Sequence, residues 1–419
     1  MKKDLVIVGG GPAGLAVAVK AYDLGVRDIL ILEREEKAGG VLKQCIHSGF
    51  GLTRFGENMT GPEYANKFYE EVKKRNIEIK FGVFVTDIDG KKRITCVSDN
   101  GVITIKAKAI ALCMGCRERS KGALNIAGNR PAGIFSAGTA QKYVNVYGRL
   151  PGKRVVVLGS GDIGLIMARR LTLEGAEVLC VSEIMEHSSG LKRNIAQCLD
   201  DFNIPLYLSH TIVEIKGKDR VEEVVIAKVD QNKKPIAGTE KSFKCDTVLF
   251  SVGLIPENEL TLKAGISLDK KTKGAIVDEK RQTEIDGVFA SGNVLHVHDL
   301  VDFVSEEAEI AGKGISEYLL SKNKNKQKKY VNTICGNNVG YVVPQKINLE
   351  VSEPVKLFFR VREPMKNAVI NVTTASGVKK INKIAVAPGE MEYVTLKPEE
   401  IKGAKEIVIN VTLKGENNG

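Results

Sequence analysis

Residues 5–19 read LVIVGGGPAGLAVAV, an apolar run broken by Gly9, Gly11 and Gly14 and continued by a helix-forming pattern. Glycines at the spacing Gly-X-Gly-X-X-Gly, between a strand and a helix, meet three separate demands of a dinucleotide. One turns the chain sharply, the next lets backbone approach a pyrophosphate, and the third lets helix and strand pack closely. The helix starting at Pro12 offers the unpaired N–H groups of its first turn, that of Ala13 among them, and partial positive charge to phosphates. Glu33 stands 19 residues beyond Gly14, where a second strand should end and a carboxylate can accept hydrogen bonds from a ribose diol. The arrangement recurs 150 residues later in VVVLGSGDIGLIMA, with Gly159, Gly161 and Gly164, and with Glu183 again 19 residues past the last glycine. Two complete units imply two dinucleotide sites.

Each fingerprint heads a similar unit, so the chain carries an internal repeat. In the first, strands at Leu5–Val8 and Ile29–Leu32 flank a helix at Pro12–Leu24. A helix at Pro62–Arg75 precedes the alternating runs IEIKFGVFV, RITCV and GVITIK, and AIALCMG closes the unit at Gly115. The second follows the same order through IPLYLSHTIVEI and VEEVVIAKV and closes with DTVLFSVG at Gly253. GVFASG, near residue 290, reads as a short buried strand returning to the first unit. Beyond a lysine-rich stretch the chain alternates in KINLEV, VKLFFRV, AVINVTT, INKIAVA, MEYVTL and EIVINVTL. That spacing argues a small β-sandwich of six or seven strands. The predicted fold is therefore α/β, with two Rossmann-like three-layer dinucleotide-binding domains, the first discontinuous, and a C-terminal all-β sandwich. The expected boundaries are 1–118 and 277–321 for the first domain, 119–276 for the second, 322–330 for the linker and 331–419 for the sandwich.

Composition narrows the class. No run of 18 apolar residues exists among the 419, so no membrane-spanning helix is expected. Met1-Lys2-Lys3 before an apolar stretch imitates a signal peptide, but Asp4 interrupts it and the stretch is already accounted for as a strand. A cytoplasmic protein is expected. The net charge of +11 comes largely from lysine, with a cluster at Lys322, Lys324, Lys326, Lys328 and Lys329. Such a balance suits peripheral association with an anionic membrane or an acidic partner. No aromatic stacking set or nucleic-acid motif accompanies it, so nucleic acid is not expected. The eight cysteines are scattered rather than framed as disulfides, which fits a reducing compartment. No metal-ligand spacing is evident.

These residues resemble the two-dinucleotide flavoprotein reductases of the thioredoxin reductase-like and glutathione reductase-like type, over residues 1 to about 325. GGVLKQCIHSGFGL, MGCRERSKGALNIAGNRPAGIFSAGTAQ and GNVLHVHDLVDFVSEEAEIAG are similar to a narrower subgroup. It comprises the FAD/NAD(P)-dependent oxidoreductases that accompany anaerobic glycerol-3-phosphate dehydrogenase, and its relatives are flavoprotein subunits of opine oxidases and hydrogen cyanide synthase. The resemblance implies FAD on the first fingerprint and NAD(P)H on the second. Gly9, Gly11, Gly14 and Glu33 would hold the ADP half of FAD, Gly39 and Gly40 would allow close backbone approach, and Val85 would contact adenine. Gly115 and Gly253 would line the two nucleotide sites. Gly292 and Asn293 would lie near the FAD phosphates and ribityl chain, although the family's usual Gly-Asp is here Gly-Asn. A helix beginning around Ser305-Glu306-Glu307 would turn its N-terminus to the flavin, with Glu306 at the cofactor.

Chemistry beyond the cofactors rests on fewer residues. Glu183 followed by Ile184 and Met185 favours NADH, because a carboxylate repels a 2′-phosphate and no arginine follows to receive one. Disulfide-reducing relatives carry a dithiol, whereas the loop after Gly40 carries Cys45 alone. Cys113 and Cys116 form the one Cys-X-X-Cys pair. Cys45, His47 and His298 are the catalytic candidates, His for proton transfer near neutrality and Cys45 for redox chemistry. Two functions follow. In one, an NAD(P)H-linked flavoprotein of a glycerol-3-phosphate dehydrogenase-type system exchanges electrons with a partner flavoprotein or iron–sulfur subunit in an oligomer. In the other, a stand-alone NADH oxidase or peroxide or disulfide reductase uses Cys45.

Overall fold

The structure is a computed structural model and describes residues 1–124, 126–321 and 328–415. It divides into two compact units: Met1–Cys116 with Pro256–Gly419, and Arg117–Ile255 between them.

In the first unit, β1 (Lys2–Val8), α1 (Pro12–Asp23), β2 (Ile29–Leu32), α2 (Gly61–Lys74) and β3 (Glu78–Lys80) open the fold. β4 (Phe84–Ile88), β5 (Arg93–Ser98) and the long β6 (Gly101–Leu112) form the antiparallel meander. The parallel part runs β3-β2-β1-β6, with Leu5 beside Ile29 and Ala109. β1 and β2 are buried apolar runs, as a sheet covered on both faces requires. One face packs under α1 and α2 through Leu15, Val17, Tyr64 and Phe68, and the other packs Val6, Leu30 and Ile110 against the meander.

The second unit repeats the plan with β7 (Arg154–Leu158), α3 (Asp162–Leu173), β8 (Glu177–Glu183), β9 (Leu206–Leu208) and β10 (Thr247–Phe250). Its parallel order is β9-β8-β7-β10, with Ile134–Ser136 beyond β10. The run IPLYLSHTIVEI folds as two strands: Ser209 takes a left-handed φ of 54°, so Leu206–Leu208 joins the parallel sheet and His210–Lys216 the meander.

The chain then returns to the first unit earlier than expected. Residues 256–276, expected in the second unit, pack with the first. Ala264, Ile266 and Ala275 share a core with Val6 and Val8, and the Asn258 side chain donates to the carbonyls of Lys273 and Val294. β11 (Val288–Ala290) adds to the parallel sheet beside β6, and α4 (Val301–Leu320) packs along α1.

Of the linker expected at 322–330, residues 322–327 lie outside the described residues, among them Lys322, Lys324 and Lys326. Beyond it, β12 (Tyr330–Cys335), β13 (Val339–Val343), β14 (Lys346–Asn348), β15 (Val355–Val361), β16 (Met365–Thr374), β17 (Gly377–Val386), β18 (Glu392–Leu396) and β19 (Glu406–Leu413) form two sheets. The orders are β14-β12-β19-β16-β17 and β13-β15-β18, and Ile370 and Ile409 of one sheet share a core with Leu357 and Val394 of the other. The sandwich is as expected, with β12 and β13 the strands its alternation pattern missed. It packs against the first unit, where Arg360 bonds the Val297 carbonyl and Lys356 Nζ lies 2.8 Å from Glu306.

Candidate functional site

The two fingerprints fold alike down to single hydrogen bonds. In the first unit, Glu33 Oε2 accepts the Gly10 N–H at 2.8 Å and Oε1 accepts the Glu35 N–H at 2.8 Å. In the second, Glu183 Oε2 accepts the Ser160 N–H at 2.9 Å and its hydroxyl at 2.6 Å, while Oε1 accepts the Met185 N–H at 2.9 Å. Each carboxylate is tied to its own glycine loop at the carboxyl end of the parallel strands, where α/β sheets bind ligands.

The glycines divide into those the fold needs and those it does not. A Cβ on Gly14 would stand 1.9 Å from the Gly9 carbonyl oxygen, and Gly9 has a φ of +104°. Gly11 has an ordinary φ of −76°, and among the described residues a Cβ there would meet only the Gly40 Cα, at 3.9 Å. The protein itself gives no reason for glycine at 11, so the open space in front of it is the fit test for an incoming phosphate. α1 begins at Pro12 with no side chain capping it and no acid in its first turn, which leaves its N–H groups to a ligand. Gly39 donates to the Gly10 carbonyl at 2.8 Å, and this brings the Gly39-Gly40 turn over the loop. A Cβ on Gly292 would fall 2.8 Å from that of Ala13, so the Gly292-Asn293 turn also borders the start of α1. These residues suit FAD. α3 differs, because its first turn carries Asp162, whose Oδ1 accepts the Leu191 N–H and the Asn194 amide. Gly115 and Gly253 end their units with φ of +73° and +96°, and among the described residues nothing lies within 4 Å of where a Cβ would stand.

Val83 donates its N–H to the Glu33 carbonyl, and Val85 lies two residues further along the strand, in the same core. α4 starts at Val301 rather than Ser305, because Asp302 anchors its first turn by accepting the N–H groups of Gly51, Thr53 and Arg54. Glu306 is therefore one turn inside the helix, where it pairs with Lys356.

The catalytic candidates separate too. His47 lies on the loop after Gly40, its Nδ1 donating to the Ser48 carbonyl at 3.2 Å, which leaves Nε2 as the basic nitrogen of the neutral ring. Cys45 is on the same loop, but burial pushes its thiol up to about 12, and its Sγ bonds the Val41 carbonyl. A thiolate nucleophile is disfavoured there. Cys113, also raised to about 12 by burial, contacts Ser291, whereas Cys116 Sγ accepts the Asn293 amide at 3.6 Å. The Cys-X-X-Cys pair thus faces two different partners. His298 does not suit proton transfer: its side chain is 1% exposed, and burial, then His296, hold it down to about 3. It lies over His296, ring centroids 4.2 Å apart, against Phe358 of the sandwich.

Around these histidines is a group that reading the sequence did not find. Glu307, 0% exposed, receives Arg281 Nε and His296 Nε2 on Oε1, each at 3.0 Å, and the Gly292 N–H on Oε2 at 3.1 Å. Burial opposes its charge, but His296 and Arg281 outweigh burial and keep it below the ordinary carboxylate range. The signal was in the sequence: Glu307 falls three residues after Val304 and four before Ala311, on the buried stripe of α4.

Comparison with known proteins agrees with this geometry. The family model described as pyridine nucleotide-disulphide oxidoreductase matches residues 3–314. The chain is 24% identical to a ferredoxin–NADP reductase of Picrophilus torridus over 70% of its length and 86% of the relative's. It is 27% identical to a thioredoxin reductase of Bacillus subtilis, with the same coverage. The crystal structure of T. acidophilum thioredoxin reductase superposes with a TM-score of 0.64 at 25% identity, over 76% of this chain and 99% of that one.

Proposed function

The chain belongs to the pyridine nucleotide-disulphide oxidoreductase family and is an FAD- and NAD(P)-dependent oxidoreductase; from that premise we propose that it exchanges electrons with a partner subunit rather than through a dithiol of its own. FAD, when bound, supplies a ring that takes up a hydride from a nicotinamide. Gly11 admits the pyrophosphate, the first turn of α1 donates to it, and Glu33 accepts from its ribose. Glu183 does the same for NADH and repels the 2′-phosphate of NADPH. His47 handles the proton that accompanies reduction.

One observation carries the reading: Cys45 and Cys113 are both raised to about 12, and Cys116 is bonded to Asn293, so no exchange-ready thiol pair stands at the flavin turn. The same observation counts against the stand-alone reading through Cys45. The HVHDLVD segment and the sandwich support a glycerol-3-phosphate dehydrogenase-type system with a flavoprotein or iron–sulfur partner docked on the sandwich. An oligomer and peripheral contact with an anionic membrane belong to the same proposal; no described helix is long and apolar enough to cross one.

The test is anaerobic bleaching of the purified flavoprotein. NADH is expected to reduce it faster than NADPH, and glycerol 3-phosphate only when co-purified partners are present. Turnover of peroxide or a disulfide by the isolated chain, lost in Cys45→Ser, would overturn it.

A further inference from the structure

The Gly292-Asn293 turn is held from below by a buried charge. Glu307 takes the Gly292 N–H, and Gly292 itself is pressed against Ala13, with a φ of +76°. The Asn293 side chain is committed on both ends: Oδ1 accepts the His298 N–H at 3.0 Å and Nδ2 donates to Cys116 Sγ. An aspartate at 293 would lose the donor toward Cys116. It would also put a second carboxylate one residue from the N–H that Glu307 already holds. Like charges so close in a buried site raise the cost of both.

We propose that Glu307 is a positioning residue for the flavin, setting the Gly292-Asn293 turn through the Gly292 N–H, and that residue 293 is asparagine because this buried carboxylate already carries the turn's negative charge. The inference rests on FAD binding at the first fingerprint. His296, His298 and Glu307 bring possible ligand atoms within 4.8 Å of one another, a spacing a metal ion could use. Both Glu307 oxygens already accept N–H bonds, however, and the Arg281 guanidinium stands against one of them. That is the donor set of a hydrogen-bonded anion.

The test uses the full-length protein stripped of FAD, with flavin fluorescence quenching to give the FAD dissociation constant and melting of the apoprotein to report the fold. Glu307→Gln should weaken FAD at least tenfold while NADH affinity, measured by calorimetry, stays within twofold. Asn293→Asp should weaken FAD in the natural background and weaken it several-fold less, or improve it, in Glu307→Gln. Should Glu307→Gln fail to fold, Asn293→Asp alone decides: its loss of FAD affinity should shrink on going from pH 8 to pH 6, as the added carboxyl takes a proton. The proposal is overturned by equal effects of Asn293→Asp in both backgrounds, by a pH-independent loss, by FAD affinity within twofold in Glu307→Gln, or by one equivalent of zinc in the purified chain. A natural protein that binds no FAD would instead defeat the reading on which the proposal rests.

Discussion

Gly11 and Gly14 are the same residue type three positions apart and do different work. Gly14 keeps the helix against the strand, since a methyl group there would sit 1.9 Å from a carbonyl oxygen. Gly11 keeps a space that the folded chain leaves unused. Gly14→Ala should therefore lower apoprotein stability by more than 2 kcal/mol, as overpacking against rigid backbone does. Gly11→Ala should leave the apoprotein melting temperature nearly unchanged and weaken FAD by tenfold or more. Thermal melts paired with FAD titration separate the two; equal loss of stability in both variants would contradict the division. These residues were legible from spacing alone because a glycine loop and its acid form one short-range unit. The burial of Glu307 could be read from its place on the α4 stripe, but its pairing could not, because Arg281 lies 26 residues away and only the fold brings them together.

At the scale of elements, α1 and α3 hold equivalent places in their units but open with different charge. The first turn of α1 has no acid, whereas α3 begins with Asp162. A carboxylate at a helix start favours the helix by about 0.3–1 kcal/mol but opposes an incoming pyrophosphate. Asp162 also fastens residues 188–194 beside its loop, with Ser188 Oγ bonded to the Ser160 carbonyl. Asp162→Asn retains the acceptor for Leu191 and removes the charge, so NADH should bind several-fold tighter, more so at low ionic strength. Calorimetric titration at two salt concentrations checks this; weaker or salt-independent binding would count against it. Element boundaries were the less legible part. The start of α4 carries no capping side chain at Leu300, so nothing local marked Val301 as its first residue. The return of the chain at 256 left no compositional step, because Ala264 and Ile266 look the same in either unit's core.

For the whole molecule, the buried histidine sets a response to acid. His298 has an ordinary value of 6.5 when exposed and about 3 when folded, so the unfolded chain takes the proton first. Its contribution is fully present above pH 6.5 and is lost as pH falls toward 3, at up to about 1.4 kcal/mol per pH unit. Glu307, lowered by folding, acts in the same direction at the acidic end of that window. Urea unfolding at pH 7.5, 6 and 5 should show this slope, and His298→Leu should flatten it above pH 5. Neither ring nitrogen of His298 makes a hydrogen bond among the described residues, so the variant should not lose stability at pH 7.5. An unchanged slope would mean that other groups govern acid sensitivity. At this scale the sequence was most informative about the sandwich, whose period-two alternation survives without help from distant partners.

The insertion of one unit within the other has a consequence for synthesis. β6 finds its neighbour β11 only after residues 117–290 have been made, an interval of roughly 10–35 s at ordinary ribosomal rates. The nicotinamide unit, closed by residue 255, can be finished on the ribosome while the flavin unit still waits, its sheet lacking β11 beside the end of β6. A nascent chain halted near residue 290, with the stretch past residue 255 still inside the exit tunnel, should therefore bind NADH and remain colourless. Yellow would be acquired last, after the second half of its cradle has left the exit tunnel.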